Sequence, residues 1–151
     1  MKQLLRAAAV AAVLATGFAA GSAQAQTAAR NYDMGPVWAI SYIETKPGMF
    51  DDYMQYVGTT WRALQEADKQ AGYVLDYDVL AVNDTRDGEP DVILITKYKN
   101  MAAFDRPLSE MEAVQAKAFG SVIKSNQAAV ARENVRVLRG SLTARELTFM
   151  K

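Results

Sequence analysis

Asp76 and Asp78 stand two residues apart in the run 73–83 (YVLDYDVLAVN). In an extended chain that spacing puts both carboxylates on one face. A carboxylate in such a place acts as a general base when its surroundings raise its pKa. The polar stretch 84–90 (DTRDGEP) separates this run from 91–99 (DVILITKYK) and is dense in turn formers. If the hairpin pairs Asn83 with Pro90, Asp76 falls opposite Lys97. A cross-strand charge pair is then the favoured reading over a tuned base. Asn100 follows, and its amide could orient a substrate oxygen. Capping a short helix over 101–105 already explains it.

Trp38, Tyr42, Tyr53, Tyr56, Trp61, Tyr73, Tyr77 and Tyr98 supply many rings for a chain of 151 residues. Two uses are open: lining a pocket for a flat hydrophobic ligand, or core and interface packing. Trp61 lies on an apolar helical stripe and reads first as core. Tyr53 and Tyr56 lie off that stripe, at a cleft mouth or facing water. The candidate pocket set is Tyr42, Tyr53, Trp61, Asp76, Lys97 and Asn100. Arg132, Arg136, Arg139 and Arg145 gather positive charge near the C-terminus. They could hold an anion through bidentate contacts, but a solvated surface with scattered ion pairs is the favoured reading.

The chain has no His and no Cys. Within one chain type that removes disulfides, thiol nucleophiles, Cys/His metal sites and Ser-His-Asp chemistry. Proton transfer would fall to Asp, Glu, Lys or Tyr. Asp84, Asp87 and Glu89 do not have the spacing of a calcium-binding EF-hand, and no GxGxxG, P-loop or HExxH motif is present. No metal and no cofactor is expected.

The elements that must position these residues begin after a secretory signal. Lys2 and Arg6 precede an apolar stretch over 7–20, and Ala23-Gln24-Ala25 supplies a small-x-small cleavage pattern. That stretch is shorter than the roughly 20 residues a spanning helix needs. The expected organisation is a cleaved signal over 1–25, a flexible lead over 26–36 and one domain over 37–151. The mature protein is expected in the periplasm or secreted, with no membrane span. Without Lys2 and Arg6, 15 basic residues face 17 acidic ones, a net charge of −2. Nothing there resembles the basic footprint of a nucleic-acid binder.

Residues 37–44 (VWAISYIE) read as a strand apolar on both faces. Lys46-Pro47-Gly48 ends it. A helix to about Ala71 carries the stripe Phe50, Met54, Val57, Trp61 and Leu64, with Gly72 as its stop. The hairpin follows, then the short capped helix. A single helix is expected from about Leu108 to about Arg132, a turn at Arg139-Gly140, and a last strand over 142–150. The order strand, helix, strand, strand, helix, strand is the ferredoxin-like α+β arrangement: a four-stranded antiparallel sheet with helices on one face. Its bare apolar face calls for a partner, most simply a second copy.

VWAISYIETKPGMFDDY, a strand entering a long helix through Lys46-Pro47-Gly48, and DVILITKYKNMAAFD, a strand running into a short helix at Asn100, resemble the dimeric α/β-barrel superfamily. The resemblance spans about 37–151. Its members include cofactor-independent quinone-forming monooxygenases, haem-degrading monooxygenases, dye-decolourising peroxidases and muconolactone isomerases, so fold does not settle function. The haem-degrading members use a His ligand that this chain lacks. The segment between Met101 and Leu142 exceeds the superfamily minimum, which implies an extra helix or lid. The resulting expectation is an exported homodimer that binds a small hydrophobic or aromatic molecule. The alternatives are a cofactor-independent monooxygenase-like enzyme with Asp76 or Tyr53 as base, and a non-catalytic envelope interaction protein.

Overall fold

The computed structural model describes residues 30–150. The signal expected over 1–25 therefore lies outside the described residues. Strand β1 (Tyr32–Thr45) leads into helix α1 (Phe50–Tyr56), a π-helical turn (Val57–Trp61) and helix α2 (Arg62–Gln70). Strands β2 (Val74–Ala81) and β3 (Val92–Tyr98) form the hairpin. A 3₁₀ turn (Met101–Phe104), helices α3 (Leu108–Phe119) and α4 (Val122–Arg132), and strand β4 (Arg136–Phe149) complete the chain. The sheet order is β2-β3-β1-β4 and all three pairings are antiparallel. This is the ferredoxin-like α+β arrangement.

Side chains alternate across the sheet as the pleat requires. Val37 and Ile43 of β1, Val74 of β2, and Val92, Leu94 and Thr96 of β3 are buried. Ile43, Val92 and Leu94 pack with Tyr53 and Val57 into one core against α1 and the π turn. Thr96 and Gln65, both buried, satisfy each other by a hydrogen bond of 3.1 Å between β3 and α2. The opposite face has no buried residue. Its central rows run Asp78–Ile95–Ile40–Leu142 and Leu80–Ile93–Tyr42–Gly140 across the four strands.

Five expectations are corrected. Tyr32–Pro36, taken as lead, already belong to β1, which runs beside the end of β4. Gly35 sits at the bulge there: a Cβ on it would meet the Glu146 carbonyl oxygen at 3.2 Å, which is why the strands can approach. The long first helix is not a plain α-helix, because its middle is a π turn in which the Thr59 hydroxyl donates to the Gln55 carbonyl at 2.7 Å. Rows of four residues stay in phase through the wider turn, so Tyr53, Val57 and Gln65 are buried while Phe50 is 39% exposed. Tyr53, read as off the stripe, is thus a core residue. The expected single helix over 108–132 is two helices. Gly120 adopts a left-handed conformation (φ 83°) that ends α3, and the Ser121 hydroxyl accepts from the Lys124 amide at 3.1 Å to start α4. Arg139-Gly140 is not a turn but part of β4, opposite a register shift between Tyr42 and Ile43.

Candidate ligand site

That register shift decides which side chains face the helices. Gly140 pairs with Tyr42 and Leu138 with Ile43, leaving Arg139 as the extra residue of a β-bulge. Without the bulge, Leu138 and Arg136 would point to the bare face, since a slip of one residue flips every side chain. With it, Leu138 lies beside Ile43 and Arg136 beside Thr45, both towards the helices.

The result is a cavity of about 190 Å³. Its floor is Ser41, Ile43, Leu94 and Leu138 from three strands; its walls are Tyr53, Tyr56 and Trp61, with Arg132 and Arg136. Tyr53 and Tyr56 pack with ring centroids 6.0 Å apart. Trp61 meets Tyr77 edge to face at 5.5 Å, which fixes the indole plane. The Arg132 guanidinium lies 4.5 Å over the Tyr56 ring, and that of Arg136 lies 5.9 Å over Tyr53. Burial pushes the Tyr53 phenol up to about 12, with Arg136 opposing, and raises Tyr56 in the same way. Both phenols are therefore neutral near pH 7.

Of the candidate pocket set Tyr42, Tyr53, Trp61, Asp76, Lys97 and Asn100, Tyr53 and Trp61 line this cavity. The others lie elsewhere. Tyr42 is on the bare face, paired with Ile93 and Gly140. Asp76 does pair in register with Lys97, yet the two do not form the expected charge pair. Asp76 binds Lys69 at 3.1 Å, and Lys97 binds Glu146 at 2.8 Å. Lys69 holds the Asp76 carboxyl below its usual range, so this exposed group is a weaker base than an ordinary aspartate. Glu146 also accepts from the Trp38 indole at 3.0 Å, and Lys97 stands 4.7 Å over that ring. Asn100 accepts from the Ala102 amide at 3.0 Å as a cap and borders a separate cavity with Gly72 and Tyr73.

Tyr56, Arg132 and Arg136 were not among the chosen pocket residues. The four C-terminal arginines that read as one charge cluster have separate fates. Arg139 pairs with Glu44, and Arg145 donates to the Gly35 carbonyl at 3.2 Å. Arg132 and Arg136 turn inward. A larger cavity, about 380 Å³, lies between α2 and α3 among Ala63, Leu64, Ala67, Val114 and Ala118. It has no aromatic wall and none of the unpartnered buried polar atoms found among the described residues.

The fold resembles HapK from Hahella chejuensis, with a TM-score of 0.51 and 15% identity over 73% of this chain and 91% of that one. It also resembles protein SO0527 from Shewanella oneidensis, with a TM-score of 0.50 and 12% identity over 78% of this chain and 98% of that one. At such identities the likeness is one of fold. No family model matches the chain, and no curated protein matches it in sequence.

Proposed function

We propose that this chain, which has the ferredoxin-like fold of the dimeric α/β-barrel superfamily, is an exported small-molecule-binding protein that works as a homodimer. The observation that carries the binding reading is the cavity walled by Tyr53, Tyr56 and Trp61 on the helix side of the sheet. Its wall includes one end of the π turn, a rare element that is frequent at functional sites. A volume of about 190 Å³ holds roughly six waters at about 30 Å³ each, room for a molecule built on one small ring. Three aromatic walls over an Ile43, Leu94 and Leu138 floor suit a flat apolar body, and the arginines suit a polar end.

The homodimer is supported by the bare sheet face. Ile40, Ile95 and Leu142 form one row and Leu80, Ile93 and Tyr42 the next, while Asp76 and Asp78 keep the β2 edge polar. An apolar centre with a charged margin is the composition of an interface. Export is supported by the charged start, apolar stretch and Ala23-Gln24-Ala25 pattern. Among the described residues no helix is long and apolar enough to cross a membrane.

Native mass spectrometry of protein taken from its own cell envelope tests the reading. The expected species is a dimer whose chains begin near Gln26, carrying one small molecule per chain. Monomers of full-length chain would contradict both the dimer and the export.

A further inference from the structure

Two arginines that line the cavity carry N–H groups with no acceptor. Nη1 of Arg132 and both Nε and Nη1 of Arg136 are buried and have no hydrogen-bond partner among the described residues. Buried polar groups in folded proteins are nearly always paired, so three orphan donors at one cavity demand an explanation. The ion pairing is also incomplete. Arg136 reaches Glu133 through Nη2 at 3.3 Å, while no carboxylate pairs with Arg132 among the described residues. Asp91 is close enough to act on the Tyr53 phenol, and its two oxygens accept from the backbone amide and hydroxyl of Thr45, not from either guanidinium. Among the described residues Arg132 therefore lines the cavity with no carboxylate partner, and Arg136 with one.

The contrast with Arg106 is instructive. That residue also has an unpartnered Nε, but it grips Asp68 with two hydrogen bonds, of 2.6 and 3.1 Å, and stacks on Tyr73. Its charge is answered within the protein, so it ties α2 to the segment before α3. Arg132 is held instead by the neutral Tyr56 ring, and Arg136 by the Tyr53 ring together with a single contact to Glu133.

We infer that the occupant of this cavity is a small monoanion, a carboxylate carried on a flat apolar body, gripped by the guanidinium groups of Arg132 and Arg136. The inference rests on the binding function proposed for the same cavity and adds the charge of the ligand. The carboxylate accepts the orphan Nε–H and Nη–H bonds, which favour planar two-oxygen acceptors. The body lies among Tyr53, Tyr56, Trp61, Leu94 and Leu138. The neutral Tyr53 and Tyr56 phenols add no competing negative charge.

Trp61 is one of two tryptophans, so a Trp38→Phe background makes its fluorescence report on the cavity alone. Benzoate and its neutral isostere benzamide are the probes. Saturable quenching by benzoate is expected, with benzamide at least about tenfold weaker, since one charge-assisted contact is worth about that factor. Arg132→Gln and Arg136→Gln should each weaken benzoate about tenfold and leave benzamide unchanged. Arg132→Lys, which keeps the charge, should retain part of the preference and shows that the fold survives the exchange. Equal binding of the two probes, or a preference unmoved by both Gln variants, overturns the anion inference and leaves the cavity reading standing. If neither probe changes Trp61 fluorescence up to its solubility limit, the cavity reading itself fails, and the anion inference with it.

Discussion

Arg132 and Arg136 hold donors that the described protein does not satisfy. A buried group in that state costs about 1–3 kcal/mol. Arginines kept for structure would lose stability when replaced; arginines kept for a ligand would not. Arg132→Met should therefore raise the stability of the ligand-free protein by about 1 kcal/mol, read as a higher midpoint in urea, because packing is kept and the uncompensated donor removed. A fall in the midpoint would make Arg132 a structural residue. Tyr53 gives a second test. Its phenol pKa is about 12 in the folded chain against an ordinary value of 10.0. Between those values the unfolded chain loses the proton first and the folded chain keeps it. Stability from this group is full below pH 10 and is lost as pH climbs towards 12. Tyr53→Phe should flatten that alkaline decline in urea titrations at several pH values. The residue types at the cavity are partly legible in the sequence: Tyr53 and Trp61 stand among its aromatic candidates, and the C-terminal arginines are able to hold an anion. What could not be read was that Arg136 turns inward, which depends on a bulge, and that Arg132 leaves the end of α4 towards Tyr56.

The elements show the same division between local and non-local causes. The hairpin register, with Asp76 opposite Lys97, follows from turn formers and alternation within about 25 residues, so it was readable. Its charge pairing was not, because Lys69 and Glu146 arrive from α2 and β4. The break between α3 and α4 left two local marks, Gly120 for a left-handed stop and Ser121 for a cap, but the apolar run across Phe119, Val122 and Ile123 concealed them. Gly120→Ala would force a side chain into a φ of 83° and should cost about 1 kcal/mol in thermal unfolding. No change in melting temperature would mean that the break tolerates other geometries. Arg139-Gly140 looked like a turn because Gly punctuates chains, although a lone Gly within a strand pattern also marks a bulge. Only the pairing of β4 with β1 separates the two, and it delivers Arg136 and Leu138 to the cavity. The π turn had no residue signature beyond a Thr able to bond back to Gln55.

At the scale of the whole molecule, the sheet divides two roles. One face is the core and the cavity; the other presents Ile40, Ile95 and Leu142 in a row with no buried member. The proposed homodimer covers that second face. Ile95→Asp should convert a dimer to a monomer in sedimentation while leaving benzoate binding within about threefold, since Ile95 points away from the cavity. A dimer that survives the charge would place the interface elsewhere. The account turns on a carboxylate reaching two named side chains, and side-chain NMR of the arginine Nε–H groups watches those atoms as benzoate is added. Large, saturable shifts confined to Arg132 and Arg136, with Arg106 and Arg139 unmoved, are the predicted result. Signals of Arg132 and Arg136 that stay still at saturating benzoate, or that move only in step with every other arginine, would contradict it.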